Sequence, residues 1–249
     1  MNIQERVRVG AVSYLNTKPL IYGFDHGMMK DRIQLIDDYP SRIAAMLQHD
    51  EIDVGLVPVA ILPYLTESHI ITDYCIGAEG PVASVCLFSE VPIEKIERVL
   101  LDYQSRTSVA LARILLKEHW KISPELVAAE ADFRDHIHGT TAGVVIGDRA
   151  LEQRKISPYI YDLSEAWKAY TSLPFVFAAW ISNKQLDDDF IRAFNEANRY
   201  GLERIPEVVA KNPFPVFDLT EYYTRCISYS LTEEKRRGLR LFLDKLPAV

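Results

Sequence analysis

The sequence predicts an α/β fold built as two lobes with a ligand cleft between them, and three observations carry that expectation. Strand-like and helix-like segments alternate from the N-terminus, which favours a mostly parallel sheet. Two apolar runs, Ser84-Val85-Cys86-Leu87-Phe88-Ser89 and Pro174-Phe175-Val176-Phe177-Ala178-Ala179-Trp180-Ile181, read as crossover strands. Between them lies a compact βα unit of its own, so the chain leaves one lobe, builds a second and returns. The expected boundaries are 1–87 and 181–249 for the first lobe and 88–180 for the second.

The β-branched run at 7–12 forms the first strand, and a short helix begins over 19–22 after an Asn-Thr-Lys turn. A second strand at 33–37 leads to Pro40, and Ser41 is placed to cap a helix over 42–49 that buries Ile43, Ala44 and Leu47. Residues 53–57 make a buried strand ending at Pro58. In the second lobe, strands at 98–101 and 143–146 go with a helix over 108–118. Helices at 187–205 and 232–246 follow the second apolar run, separated by the Pro-containing stretch 212–215, and their apolar faces are expected to cover core.

Composition narrows the function classes. A chain of 249 residues, 48% hydrophobic and 25% charged, is an ordinary globular protein with room for two lobes. Its net charge of −7, without a Lys/Arg cluster, argues against nucleic-acid binding. The N-terminus lacks the pattern of a signal peptide and no apolar run reaches transmembrane length, so a cytoplasmic protein without membrane association is expected. Cys75, Cys86 and Cys226 are widely spaced and read as buried thiols. No phosphate loop, zinc-protease, redox-pair or hydrolase-elbow motif is present, and His136 and His138 lack a third ligand at sensible spacing. Neither a metal nor any other cofactor is expected; the oligomeric state is left open.

Polar residues gather at the expected carboxyl ends of strands, where open α/β folds bind ligands. Ser13, Asn16 and Thr17 follow the first strand, either as ligand donors or as a helix cap. Asp102-Tyr103-Gln104-Ser105-Arg106-Thr107-Ser108 precedes a helix, where hydroxyls, N–H groups and the Arg106 fork would favour a carboxylate; a capped helix with a solvent-exposed Arg106 is the alternative. A third cluster holds Gly147, Asp148 and Arg149, together with Glu165, Trp167 and Thr171. Trp167 and Tyr170 could wall a planar ring, although Trp167 suits a core position better.

Together these segments resemble the menaquinone-biosynthetic family that includes the chorismate dehydratases of the futalosine pathway. The resemblance is carried by V-S-Y-L-N-T-K-P-L at 12–20, D-V-G-L-V-P at 53–58, S-V-C-L-F-S at 84–89, D-Y-Q-S-R-T-S at 102–108, G-D-R-A-L at 147–151, and D-L-S-E-A-W at 162–167 followed by L-P-F-V-F-A-A-W. It implies a fold similar to type II periplasmic binding proteins and a cofactor-free removal of water from chorismate, a dicarboxylate. Asn16 is then the expected catalytic position. Ser13, Thr17, Ser84, Ser105, Arg106, Thr107, Ser108 and Thr171 are the expected substrate contacts. Val59 stands where related chains often have Ser after L-x-P, which weakens a ligand hydroxyl there. A sister enzyme that cleaves cyclic dehypoxanthine futalosine would require a second-lobe His, and His119, His136 and His138 lie outside the segments placed in the cleft. A non-catalytic binder of small anions is the remaining alternative.

Overall fold

The computed structural model describes residues 6–246 and contains two β-sheets flanked by helices. The first stretch runs β1 (Val7–Val12), α1 (Lys18–Asp25), β2 (Ile33–Asp38), α2 (Pro40–Gln48), β3 (Val54–Pro58) and β4 (His69–Ala78). The second sheet's stretch follows as β5 (Val85–Ser89), β6 (Arg98–Leu101), α3 (Arg106–Ile114), β7 (Glu125–Ala128), β8 (Thr141–Ile146), α4 (Asp148–Gln153), β9 (Tyr159–Asp162) and α5 (Leu163–Thr171). The chain returns through β10 (Phe175–Ser182), α6 (Asp188–Leu202), α7 (Ile205–Lys211), α8 (Leu219–Glu221), β11 (Ser228–Ser230) and α9 (Glu233–Asp244).

Neither sheet is mostly parallel, contrary to expectation. The first has the order β11-β4-β10-β3-β1-β2, in which β1 runs parallel to β2 and β3 while β10 runs antiparallel to β3 and β4. The second, β7-β6-β8-β5-β9, has β6 parallel to β7 and β8 but β5 antiparallel to β8 and β9. The physical reason is the crossing of the chain: a strand that returns from the other sheet enters between resident strands from the opposite end. The expected lobe boundaries fall inside β5 and β10, yet β5 pairs wholly in the second sheet and β10 wholly in the first. A strand keeps its ladder bonds along its length, so the chain changes sheets in the connecting segments 79–84 and 172–174. Asp162 anchors the first passage: its carboxylate accepts the N–H groups of Val82 (2.9 Å) and Ala83 (2.8 Å) while also capping α5 through Ser164 and Glu165.

Local chemistry explains the shifts in helix bounds. α2 begins at Pro40, with Tyr39 rather than Ser41 at the N-cap, because proline at the first helical position forfeits only an N–H that has no intrahelical partner. α3 begins two residues earlier than expected because the Ser105 hydroxyl accepts the Ser108 N–H (3.1 Å). The helix expected over 187–205 is α6, which starts on the Asp187 cap and ends at Leu202; a separate helix, α7, begins at Ile205 with Pro206 in its first turn. α6 lies against α1 almost backbone to backbone, since a Cβ on Gly201 would stand 2.0 Å from the Pro19 carbonyl oxygen. Trp180 is buried and its indole N–H donates to Asn198 Oδ1 (2.8 Å), satisfying the one polar atom that its burial would otherwise strand. Cys75 and Cys86 are buried thiols, and Cys226 is half-buried. No helix among the described residues is long and apolar enough to cross a membrane.

Candidate functional site

A narrow cavity of about 50 Å³ lies between the sheets and is lined by residues of both. The first sheet contributes Val12 at the end of β1, Leu56 and Pro58 from β3, Ile76 from β4, and Phe177 and Ala178 from β10. The second contributes Val85 at the start of β5 and Ile146 and Gly147 at the end of β8, two strands that pair Val85 with Ile146. Polar groups enter from three places: Asn16 from the turn after β1, Tyr14 beside it, and Ser105 with Ser108 from the start of α3. Lysine, arginine, histidine and carboxylate side chains are absent from the residues lining this cavity. A charged ligand there meets hydroxyls, an amide and a helix N-terminus in apolar surroundings, where such dipoles act strongly.

The turn carrying Asn16 is held from outside itself. The Leu15 N–H donates to Asp148 Oδ1 (3.1 Å) at the start of α4, and the Tyr14 hydroxyl donates to Gln104 Oε1. Gln104 Oε1 also accepts from Arg149 Nη2 (2.9 Å), which in turn pairs with buried Asp102 at 2.8 Å. Asp102 receives the N–H groups of Gln104 and Ile146 as well. Burial pushes the Asp102 carboxyl up, and Arg149 beside it pulls it down. Burial likewise pushes Asp148 up to about 6, opposed by the Leu15 N–H and the Lys18 charge. Gly147 makes the close approach possible: at φ 65° and ψ −147° it occupies backbone space open only to glycine, and a Cβ there would meet the Tyr14 ring at 3.1 Å.

The expected site residues separate into distinct positions. Asn16, Ser105 and Ser108 line the cavity together. Ser84 is wholly buried next to Val85; its hydroxyl accepts from Tyr222 (2.7 Å) and its carbonyl from the Gly147 N–H (2.8 Å). Thr17 is buried behind the turn and donates to Asn16 Oδ1 (3.3 Å). Thr107 points back to the first sheet's stretch, accepting the Ala60 N–H at 3.0 Å. Ser13 is exposed at the end of β1 and lies outside the cavity lining. Arg106 is exposed too, and its guanidinium donates to Gln48 Oε1 (2.8 Å) instead of entering the cavity. Thr171 closes the last turn of α5 by donating to the Trp167 carbonyl (2.8 Å). Trp167 itself is core, packed edge-on against Phe175 and Phe242.

Sequence reasoning passed over Tyr14 and the C-terminal tyrosines as site groups. Tyr222 reaches Ser84, and the Tyr229 hydroxyl donates to the Asn16 carbonyl (2.9 Å). Tyr14 was open to detection, since it stands inside the polar turn. For Tyr222 and Tyr229 there was no local signal, because their partners lie more than 130 residues away along the chain.

The sequence matches the family described as menaquinone biosynthesis over residues 7–248. The chain belongs to the menaquinone biosynthesis family. It is 27% identical over 263 residues to the chorismate dehydratase of Thermus thermophilus, a match covering 96% of this chain and 94% of that protein. In structure it resembles a protein from Archaeoglobus fulgidus with a TM-score of 0.77 at 14% identity, covering 96% of both chains. It also resembles the periplasmic aliphatic sulphonate binding protein SsuA from Escherichia coli, with a TM-score of 0.59 at 16% identity over 96% of this chain and 87% of that one. This member of the menaquinone biosynthesis family therefore has the two-sheet, cleft-forming fold of the periplasmic binding proteins.

Proposed function

We propose that the protein is a chorismate dehydratase, a hydro-lyase that converts chorismate to 3-[(1-carboxyvinyl)oxy]benzoate and water, without a cofactor and in the cytoplasm. The observation that carries this reading is the cavity itself: Asn16 on one side and the Ser105–Ser108 pair on the other, in apolar walls, in a menaquinone-biosynthetic chain. The two sheets with their helices act as lobes that close on the substrate. Ser105 and Ser108, at the N-terminus of α3, take one carboxylate, with hydroxyls and the helix dipole as donors. Asn16 faces the ring and the departing hydroxyl, with Ser84 behind the cavity wall.

The chemistry follows from the substrate. The proton on the ring carbon bearing the enolpyruvyl ether is acidified through the diene by the ring carboxylate. Its removal and the loss of the neighbouring hydroxide as water leave an aromatic ring, whose stability drives the step. Because neither a carboxylate nor an imidazole is among the lining residues, the enolpyruvyl carboxylate of the substrate is the favoured base. Asn16 Oδ1 already accepts from Thr17, so the Asn16 amide NH₂ is the end that donates to the leaving oxygen or to developing negative charge. The protein's share is then orientation and charge stabilisation rather than proton abstraction. The lack of a lining histidine also sets this reading apart from the futalosine-cleaving sister activity. Purified protein incubated with chorismate should yield the aromatic enolpyruvyl product by mass spectrometry. Tight binding of another anion with no such product would overturn the reading.

A further inference from the structure

The dehydratase reading uses Asn16, and both Asn16 and Ser84, the residue before Val85 of the cavity wall, are gripped from behind by the C-terminal segment. Tyr222 is wholly buried just after α8, and its hydroxyl is within 2.7 Å of one partner, Ser84 Oγ. Ser84 is wholly buried outside the cavity lining and stands directly before Val85 in the cavity wall, so this bond fixes the start of β5 from behind the cleft. Tyr229, buried on β11, donates to the Asn16 carbonyl at 2.9 Å. This bond sets the peptide plane at Asn16, whose side chain enters the cavity, while Thr17 occupies the Asn16 side-chain oxygen. Tyr223 lies beside Tyr222 with comparable burial, and its hydroxyl has no hydrogen-bond partner.

We propose that Tyr222 and Tyr229 are positioning residues that hold the start of β5, through Ser84, and the Asn16 turn in place behind the cleft. The proposal rests on the dehydratase reading and extends it, since it gives the C-terminal segment a role in turnover besides covering the first sheet.

Tyr222→Phe and Tyr229→Phe should each lower kcat about tenfold, the effect of one hydrogen bond, while KM changes less than threefold. Tyr223→Phe, equal in size and burial, should leave both constants unchanged. The double variant Ser84→Ala with Tyr222→Phe should fall no further than Ser84→Ala alone, because Tyr222 acts through Ser84. Unchanged kcat in both tyrosine variants, or full additivity in the double variant, overturns the proposal. The hydrogen bond is also read without turnover: the Tyr222 hydroxyl proton, followed by NMR with labelled tyrosine, should shift in Ser84→Ala. No shift overturns the proposal whatever the activity, whereas wild-type protein that makes no aromatic product overturns only the dehydratase reading beneath it.

Discussion

The polar turn at 13–17 has no side-chain cap for the helix it opens, whereas the one at 102–108 caps its own helix and is tied to distant segments as well. In the second, the Ser105 hydroxyl accepts the Ser108 N–H and donates to the Ser108 hydroxyl, and Asp102 accepts the Gln104 N–H, all within seven residues. In the first, no side chain caps α1, and the contacts come from Asp148, Gln104 and Tyr229, at separations of 90 residues or more. The turn carrying Asn16 is bonded to groups from both sheets' stretches and from the C-terminal segment, so its shape depends on all three being in place.

The largest test of that contrast is Asn16→Ala, which should cut kcat at least about a hundredfold with little change in melting temperature, measured by chorismate turnover and calorimetry. Wild-type turnover would remove the first turn from the chemistry. Gly147→Ala comes next. The alanine must adopt glycine-only backbone angles and push against the Tyr14 ring, so a loss of about 2 kcal/mol in urea unfolding is expected, together with weakened turnover.

Asp148→Asn should show a smaller, pH-dependent effect. The native Asp148 binds its proton more tightly than an unfolded aspartate, with its pKa lifted from 3.8 to about 6, so its ionisation opposes folding as pH rises through that window. The asparagine keeps an acceptor for the Leu15 N–H and carries no charge. It should therefore stabilise the protein by roughly 1 kcal/mol at pH 7.5 and have no effect below pH 3, as read from melting curves across that range. A stabilisation independent of pH would mean that Asp148 does not titrate as its burial requires. Smallest is Arg106→Ala, for which kcat and KM should stay within about twofold of wild type, because this guanidinium reaches Gln48 and not the cavity. A large rise in KM would show that the arginine swings inward when substrate binds.

Much of this was legible in the residues themselves. β1, β3, β6 and β8 announce themselves as short apolar, β-branched runs, and the six motif segments in order point to the menaquinone biosynthesis family. β4, β7, β9 and β11 carry weaker patterns. β4 mixes His69, Thr72, Asp73 and Tyr74 with its apolar residues, because one part of it faces outward, and β11 is only three residues long. Within the site, Ser105 and Ser108 could be read as a pair from their spacing, since a cap at i and i+3 is a local bond. Arg106 could not be placed the same way. One residue along a helix turns the side chain by about 100°, and only the packing of α3 decides which side faces the cavity.

Sequence alone determined the α/β class, the two βα regions, the polar turns at strand ends and the likeness to a family, because each rests on near neighbours or on the order of segments along the chain. Tertiary structure decided where the chain changes sheets, which donors share the cavity, and that Tyr14, Asp148, Tyr222 and Tyr229 hold them there. Those outcomes depend on contacts between residues tens to hundreds of positions apart, made only when two sheets pack face to face. No local pattern encodes which partner a buried hydroxyl or carboxylate will find.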